Sequence, residues 1–263
     1  MSNLVKRTIF GAIFVALIVG SLLLPNIYFF AILFSLFAVL SVREFYAITG
    51  ADRPTRLCGS IIPLLLFAGV LTPLSWLVYV YQLCVIMLIV SELFKKKNNP
   101  LDQWGKLMLG QMFVAIPFSF MMMLYAKQPM LLLALFVIIW TNDTGAYCIG
   151  SLLGKHKMFP RVSPAKSWEG FCGGLLLALV AGYIFLSDPF HFTGVDYSLW
   201  LSLLLTVIIV LAGTLGDLVE SLTKRTLGIK DSGHIIPGHG GMLDRFDSSL
   251  LAAPVLYIIL MLI

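Results

Sequence analysis

The stretch SLTKRTLGIKDSGHIIPGHGGMLDRFDS (221–248) crowds Lys224, Arg225, Lys230, Asp231, His234, His239, Asp244, Arg245 and Asp247 into one part of an otherwise oily chain. Gly228, Gly233, Gly238, Gly240 and Gly241 interrupt it, and glycines allow sharp turns and close backbone approach to a ligand. Just upstream, Asp217, Glu220 and Ser221 fall at i, i+3 and i+4, on one face of a helix. Carboxylates are the oxygen ligands of Mg²⁺, which takes one or two of them alongside substrate phosphates and water. Lys and Arg meet the phosphate charge that remains. Acidic and basic groups mixed in this way ask for an anionic ligand bridged by a metal ion.

Two further polar clusters precede this one. In WTNDTGAYCIG (140–150), Asp143 lies inside an apolar run. An ionisable group at the centre of a membrane helix costs roughly 2.5–3.5 kcal/mol, so it should face a partner or water. A structural hydrogen bond between helices is the alternative use. In GKHKMFPRVSPAKSWEG (154–170), Ser163-Pro164, Ser167 and Glu169 read as helix-start signals. Lys155, His156, Lys157 and Arg161 read as a basic flank, whereas Lys166 adjoins the helix start, where anions are favoured.

Composition says what kind of element holds these groups. Of 263 residues, 59% are hydrophobic and 12% charged, against roughly 25% charged in soluble domains. Apolar runs of about 20 residues recur, the length of a membrane-crossing helix, without the alternation of a transmembrane barrel. The chain reads as an all-α polytopic helical membrane protein. About nine spans are expected, near 8–24, 27–42, 57–73, 75–94, 107–126, 130–150, 170–187, 198–220 and 249–263. The basic N-terminal segment is expected to be retained as the first helix. Cys58, Cys84, Cys148 and Cys172 form no CxxC pair and read as free thiols.

With nine spans, alternate loops collect every Lys and Arg except Lys127. That bias places the N-terminus and those loops in the cytoplasm, and it accounts for the net charge of +5 without nucleic acid. Residues 1–130, with intramembrane segments nearly free of acidic groups, read as transmembrane scaffold. Residues 131–263 read as the catalytic region, facing the cytoplasm. There, Gly150 and Gly154, and Gly170 and Gly174, have a spacing that lets helices approach closely.

A patch for anionic lipid would need the lysines but not the aspartates. An ion-coupled transporter would bury its aspartates nearer the midplane, in broken helices. Phosphoryl or nucleotidyl transfer at a lipid headgroup suits the whole set.

The segment 221–247 resembles the signature of the phosphatidate cytidylyltransferases, also called CDP-diacylglycerol synthases. That signature runs Ser, Lys-Arg, Lys-Asp and a closing His-Gly-Gly-x-x-Asp-Arg-x-Asp, all present here. NDTGAY (142–147), GKHK (154–157), SPAKSWEG (163–170) and GDLVES (216–221) look like the family's other blocks, in order. Departures are few. Thr223 stands at a usually apolar position, and Ala165 and Ser167 replace Gly and Thr, with the hydroxyl kept at Ser167. The N-terminal half is similar to the family in hydropathy alone.

The resemblance implies a nucleotidyltransferase that joins CTP and phosphatidic acid into CDP-diacylglycerol and pyrophosphate with Mg²⁺, in phospholipid biosynthesis. It implies a homodimer in a bacterial inner (plasma) membrane, with the active site facing the cytoplasm. Asp217 and Asp244 are implied as metal-binding carboxylates, with a second, K⁺-like cation near them. In this reading Asp143 or Asp247 completes the metal shell, and Lys166 joins Asp217 and Asp244 as catalytic. Lys224, Arg225, Lys230, Arg245, Ser221, Ser167 and His239 hold substrate phosphates. A phosphomonoester with a second pKa of about 6 is already ionised at pH 7, so neither His234 nor His239 is needed as a base. The competing readings are CTP-dependent activation of another lipid phosphate, such as an isoprenoid ether lipid, and a non-enzymatic membrane transporter.

Overall fold

The computed structural model describes residues 3–24, 26–95, 99–235 and 240–263. Each segment expected to span overlaps a helix, but not every one of those helices is long enough to cross a membrane. Among the described residues, seven helical stretches are long and apolar enough to cross a membrane: Ile27–Ile48, Arg53–Leu71, Leu77–Phe94, Pro100–Lys127, Pro129–Leu153, Trp168–Leu186 and Leu199–Thr226. Two others, Thr8–Leu23 and Asp247–Leu262, are apolar but shorter. The protein is an all-α polytopic membrane protein.

The chain divides into two compact units, Met1–Ala126 with Asp231–Phe246, and Lys127–Lys230 with Asp247–Ile263. The first unit contains α1 (Asn3–Leu23), α2 (Ile27–Ile48), α3 (Arg53–Ile61), α4 (Pro63–Leu71), α5 (Leu77–Ser91), α6 (Pro100–Leu109) and nearly all of α7 (Ile116–Lys127). Asn26 starts α2 by accepting hydrogen bonds from the backbone N–H groups of Tyr28 and Phe29. Asp52 caps α3 through Thr55. These are the side-chain caps that orphan helix N–H groups require. The core of the unit is aromatic. Phe30 stacks on Tyr125 with ring centroids 3.7 Å apart, and Phe246 packs against Phe37 at 5.5 Å and Phe118 at 4.8 Å. Between α6 and α7, one π-helical stretch, Gly110–Ala115, presents Gln111 to a buried polar network. Gln111 donates to Tyr46 Oη and the Gly59 carbonyl and accepts from Tyr81 Oη.

Helix α2 does not stop at Val42, where charged residues follow the apolar run, but continues to Ile48 with Glu44 buried. A charge ends a hydropathy run without ending a helix, because backbone hydrogen bonding continues through it.

The second unit contains α8 (Pro129–Leu153), β1 (Lys157–Phe159), β2 (Ser163–Ser167), α9 (Trp168–Leu186), α10 (Leu199–Thr226) and α11 (Asp247–Leu262). The α8 and α9 backbones nearly touch. A Cβ on Gly174 would lie 2.5 Å from the Asn142 carbonyl oxygen, and one on Gly170 would lie 2.8 Å from that of Ala146. Only glycines permit that approach, as their spacing predicts. The short antiparallel hairpin β1–β2, with Val162 N–H donating to the Phe159 carbonyl, occupies what reads as loop in the sequence. Between α9 and α10, Asp188 accepts from the N–H groups of Phe192, Thr193 and Gly194. Desolvation would raise its pKa, but these donors outweigh it and hold the carboxyl below its usual value. Helix α10 runs to Thr226, so Ser221, Lys224 and Arg225 form its last turns and do not belong to a loop.

Candidate active site

Five elements of the second unit contribute to one cavity of about 240 Å³, lined among others by Asn142, Asp143, Lys166, Ser167, Thr214 and Asp217. Helix α8 supplies Asn142 and Asp143. The end of β2 supplies Lys166, whose Nζ lies 2.5 Å from Asp217 Oδ2, with both side chains about a quarter exposed. Ser167 is buried as the N-cap of α9, its hydroxyl accepting from Gly170 N–H at 3.1 Å. The capped hairpin thus fixes Lys166 on the cavity wall. Glu169 secures the hairpin's other strand by accepting from the backbone N–H groups of Lys155 and His156 and contacting the His156 ring at 2.5 Å.

On α10, Asp217 uses its second oxygen to accept from Ser221 Oγ at 3.0 Å, the pairing that the i, i+4 spacing predicts. One turn on, buried Glu220 pairs with Lys224 at 2.7 Å. Asp247 begins α11, where a helix N-terminus favours negative charge. Gly216 lets the two helices meet, since a Cβ there would lie 2.7 Å from the Asp247 carbonyl oxygen. Carboxylate oxygens of Asp217, Glu220 and Asp247 consequently lie within 4.8 Å of one another. Three negative groups so close repel, and a hard divalent cation is the ligand that relieves such a set. The Asn142 side-chain carbonyl is buried without a hydrogen-bond partner among the described residues, which leaves an acceptor at the same cavity. The donor chemistry fits Mg²⁺.

The structure therefore brings Asp217 and Lys166 into direct contact, sets Asp247 with Asp217, and lines one cavity with Asp143, Ser167 and Asp217. Lys224 is mostly buried against Glu220, and Arg225 donates to the carbonyls of Val162 and Ile229. Lys230 is exposed. Asp244 and Arg245 belong to the first unit. There the Asp244 carboxylate accepts from Ser232 N–H at 2.9 Å and Gly241 N–H at 2.8 Å, and Arg245 ends a single 3₁₀ turn, Leu243–Arg245. His239 lies outside the described residues.

Glu220, on the helix face of Asp217, joins the carboxylate cluster although it is not among the ligands expected from the sequence, and Lys224 balances it. The spacing of three between Asp217 and Glu220 was the signal. The amide of Asn142 carries no charge, so the sequence gives little sign that its carbonyl is left without a partner beside Asp143 among the described residues.

A family model described as the cytidylyltransferase family matches residues 5–263. A phosphatidate cytidylyltransferase of Staphylococcus haemolyticus is 50% identical over 125 residues, 48% of this chain and 46% of that protein. That of Staphylococcus saprophyticus is 45% identical over 148 residues, 56% of this chain and 55% of the relative. The one from Staphylococcus aureus strain COL matches at 45% over 148 residues, with the same shares. The aligned part spans about half the length of these curated relatives. With the family model matched from residue 5 to the last residue, the chain belongs to the cytidylyltransferase family.

Proposed function

We propose that the protein is a phosphatidate cytidylyltransferase, transferring CMP from CTP to phosphatidic acid to give CDP-diacylglycerol and pyrophosphate. The observation that carries this reading is the meeting of Lys166 and Asp217 at 2.5 Å in a cavity of the membrane-spanning bundle, with two more carboxylates grouped around Asp217. Cation and carboxylates at one point suit a phosphate ligand bridged by metal. The names of the relatives supply the substrate pair.

A phosphate oxygen of phosphatidic acid forms a bond to the α-phosphorus of CTP as the bond from that phosphorus to the β-phosphate bridging oxygen breaks. Pyrophosphate leaves with the electron pair. The attacking phosphomonoester is already ionised at pH 7, so no protein base removes a proton. The obstacle is the mutual repulsion of two polyanions, which positioning and fixed charge overcome in such transfers. Asp217, with Asp247 and Asp143, would hold Mg²⁺, with Asp244 the further carboxylate that the resemblance implies, and the ion would supply charge neutralisation to the phosphates. Glu220 balances Lys224 at the end of α10 and keeps its ammonium in the bundle. Lys166 carries its charge on the cavity wall, where it can take a phosphate oxygen. Arg225, Lys230 and Arg245, with the Ser221 and Ser167 hydroxyls and His239, take the remaining phosphate oxygens. The site faces the cytoplasm of a bacterial plasma membrane, in a homodimer, with a second, K⁺-like cation beside the first.

The test is incubation of purified protein with labelled CTP, Mg²⁺ and phosphatidic acid. A CDP-lipid and an equal amount of pyrophosphate are expected. Turnover of another lipid phosphate but not of phosphatidic acid would reassign the substrate, and no product from any lipid phosphate would sink the reading.

A further inference from the structure

We propose that Glu44, in the N-terminal half, is a positioning residue for this transfer: its carboxylate on α2 clasps the Asp231–Phe246 segment at two points and so sets where Asp244 and Arg245 stand. An ionisable side chain inside an apolar helix is costly and persists where something uses it. Glu44, between Arg43 and Phe45, is 6% exposed, and its use is visible. Oε2 accepts from the Leu243 N–H at 2.9 Å and from the Ser232 hydroxyl at 3.2 Å. These two contacts grip the segment near its start and just before Asp244. Two glycines close over the carboxylate. A Cβ on Gly233 would lie 2.5 Å from Oε1, and one on Gly241 would lie within 2.4 Å of Oε2 and the Ser232 hydroxyl.

The grip passes to Asp244 through the residues that Glu44 holds. Ser232, fixed by its hydroxyl, donates its N–H to Asp244, and so does Gly241. The far end of the segment is anchored separately, by Phe246 among Phe37 and Phe118. Without Glu44 the segment keeps its aromatic anchor but loses the contacts at Ser232 and Leu243. Glu44 touches no reacting atom in this account and acts through the loop. The catalytic half of the proposal rests on the CMP transfer proposed above, and the loop-ordering half does not.

The experiment compares Glu44→Ala, Glu44→Gln and Gly241→Ala in full-length protein in lipid nanodiscs, reading amide hydrogen exchange and kcat together. Glu44→Ala is expected to speed exchange at Leu243, Ser232 and Gly241 by about tenfold. It should also lower kcat by about 100-fold, as small misplacements of catalytic groups do, with α2 and α7 as protected as in the parent. Glu44→Gln retains a carbonyl acceptor and should recover most of both. Gly241→Ala, which breaks the clasp from the loop side, should copy Glu44→Ala and is the variant to read if that one does not fold. Unchanged exchange at Ser232 and Gly241 overturns the proposal, as does equal inactivity of the Gln and Ala variants with the loop still protected. Loss of protection throughout α2 and α7 does the same, since it would mean a scaffold role. If the parent protein makes no CDP-lipid, the proposed function falls, and exchange alone then decides the clasp.

Discussion

Two regions of this molecule collect carboxylates in an apolar setting and use them in different ways. Around Asp217, in the second unit, the carboxylates face charge: Lys166 at 2.5 Å, Lys224 against Glu220 at 2.7 Å, and one another within 4.8 Å. In the first unit, Glu44 and Asp244 accept from neutral donors, among them the N–H groups of Ser232, Gly241 and Leu243 and the Ser232 hydroxyl. A carboxylate satisfied by backbone donors fixes the path of the chain. Carboxylates crowded on each other and paired with lysines hold an electrostatic imbalance that a ligand can rebalance. The first arrangement fixes where a carboxylate stands, and the second groups carboxylates where a cation can bind.

The sharpest way to break this comparison is to neutralise one carboxylate of each kind. Asp217→Asn is expected to abolish CTP incorporation, a loss of at least about 10²–10³-fold by analogy with removal of a preorganised charge-stabilising group. Exchange of the Ser232, Gly241 and Leu243 amides should stay as in the parent. Asp244→Asn should lose turnover to a similar extent and also speed exchange at Ser232 and Gly241, because its oxygens hold those amides. Near-normal turnover of either variant at saturating Mg²⁺ would show that its carboxylate is not a metal ligand. A loosened loop in Asp217→Asn would erase the distinction between the two regions.

A smaller effect is expected at Lys166. Its substitution by Ala removes one cation from the cavity and leaves the carboxylate cluster in place, so kcat/KM should fall by about 10–100-fold, less than for Asp217→Asn. Ser167 still caps α9 in this variant, so the thermal midpoint should hold. A collapse of stability equal to the loss of activity would make Lys166 a structural counter-ion of Asp217 and nothing more.

Much of this is legible in the chain because it is local. Apolar runs predict the helices, and the i, i+4 spacing of Asp217 and Ser221 predicts their hydrogen bond. The Gly170 and Gly174 spacing predicts the close α8–α9 seam. What escapes is long-range. The bonds from Ser232 and Leu243 to Glu44 join residues 188 and 199 positions apart, and no periodicity records such a pairing. Glu44 had one local signal, a lone acid inside the apolar α2, and it was masked by the neighbouring Arg43, which made the pair read as the end of a span. The hairpin escaped because Lys157–Phe159 and Ser163–Ser167 are too short to show alternation, and Pro160 and Pro164 argue for a loop. The continuation of α10 past Glu220 escaped because hydropathy ends where the lysines begin, although Lys224 and Arg225 suit a helix C-terminus.

The smallest expected effect tests whether basic residues matter by where they stand. Lys127 is the one Lys or Arg that the alternating pattern leaves on the opposite side from the charged loops. In the second unit its Nζ donates to the Leu260 carbonyl at 3.2 Å, near the end of α11, where the helix leaves carbonyls unpaired and carries partial negative charge. That is a complete local use for the ammonium, and it requires no phosphate. Lys127→Ala should therefore lower the thermal midpoint slightly, by an amount on the order of one solvent-screened hydrogen bond, below about 1 kcal/mol, and leave turnover unchanged. A fall in kcat/KM to the level expected for Lys166→Ala, in protein that expresses and inserts normally, would place a phosphate-binding cation on the wrong side and undo the sidedness inferred from the charge pattern. Unchanged turnover with a slightly softer α11 end would separate the cations that serve the site from the one that serves a helix.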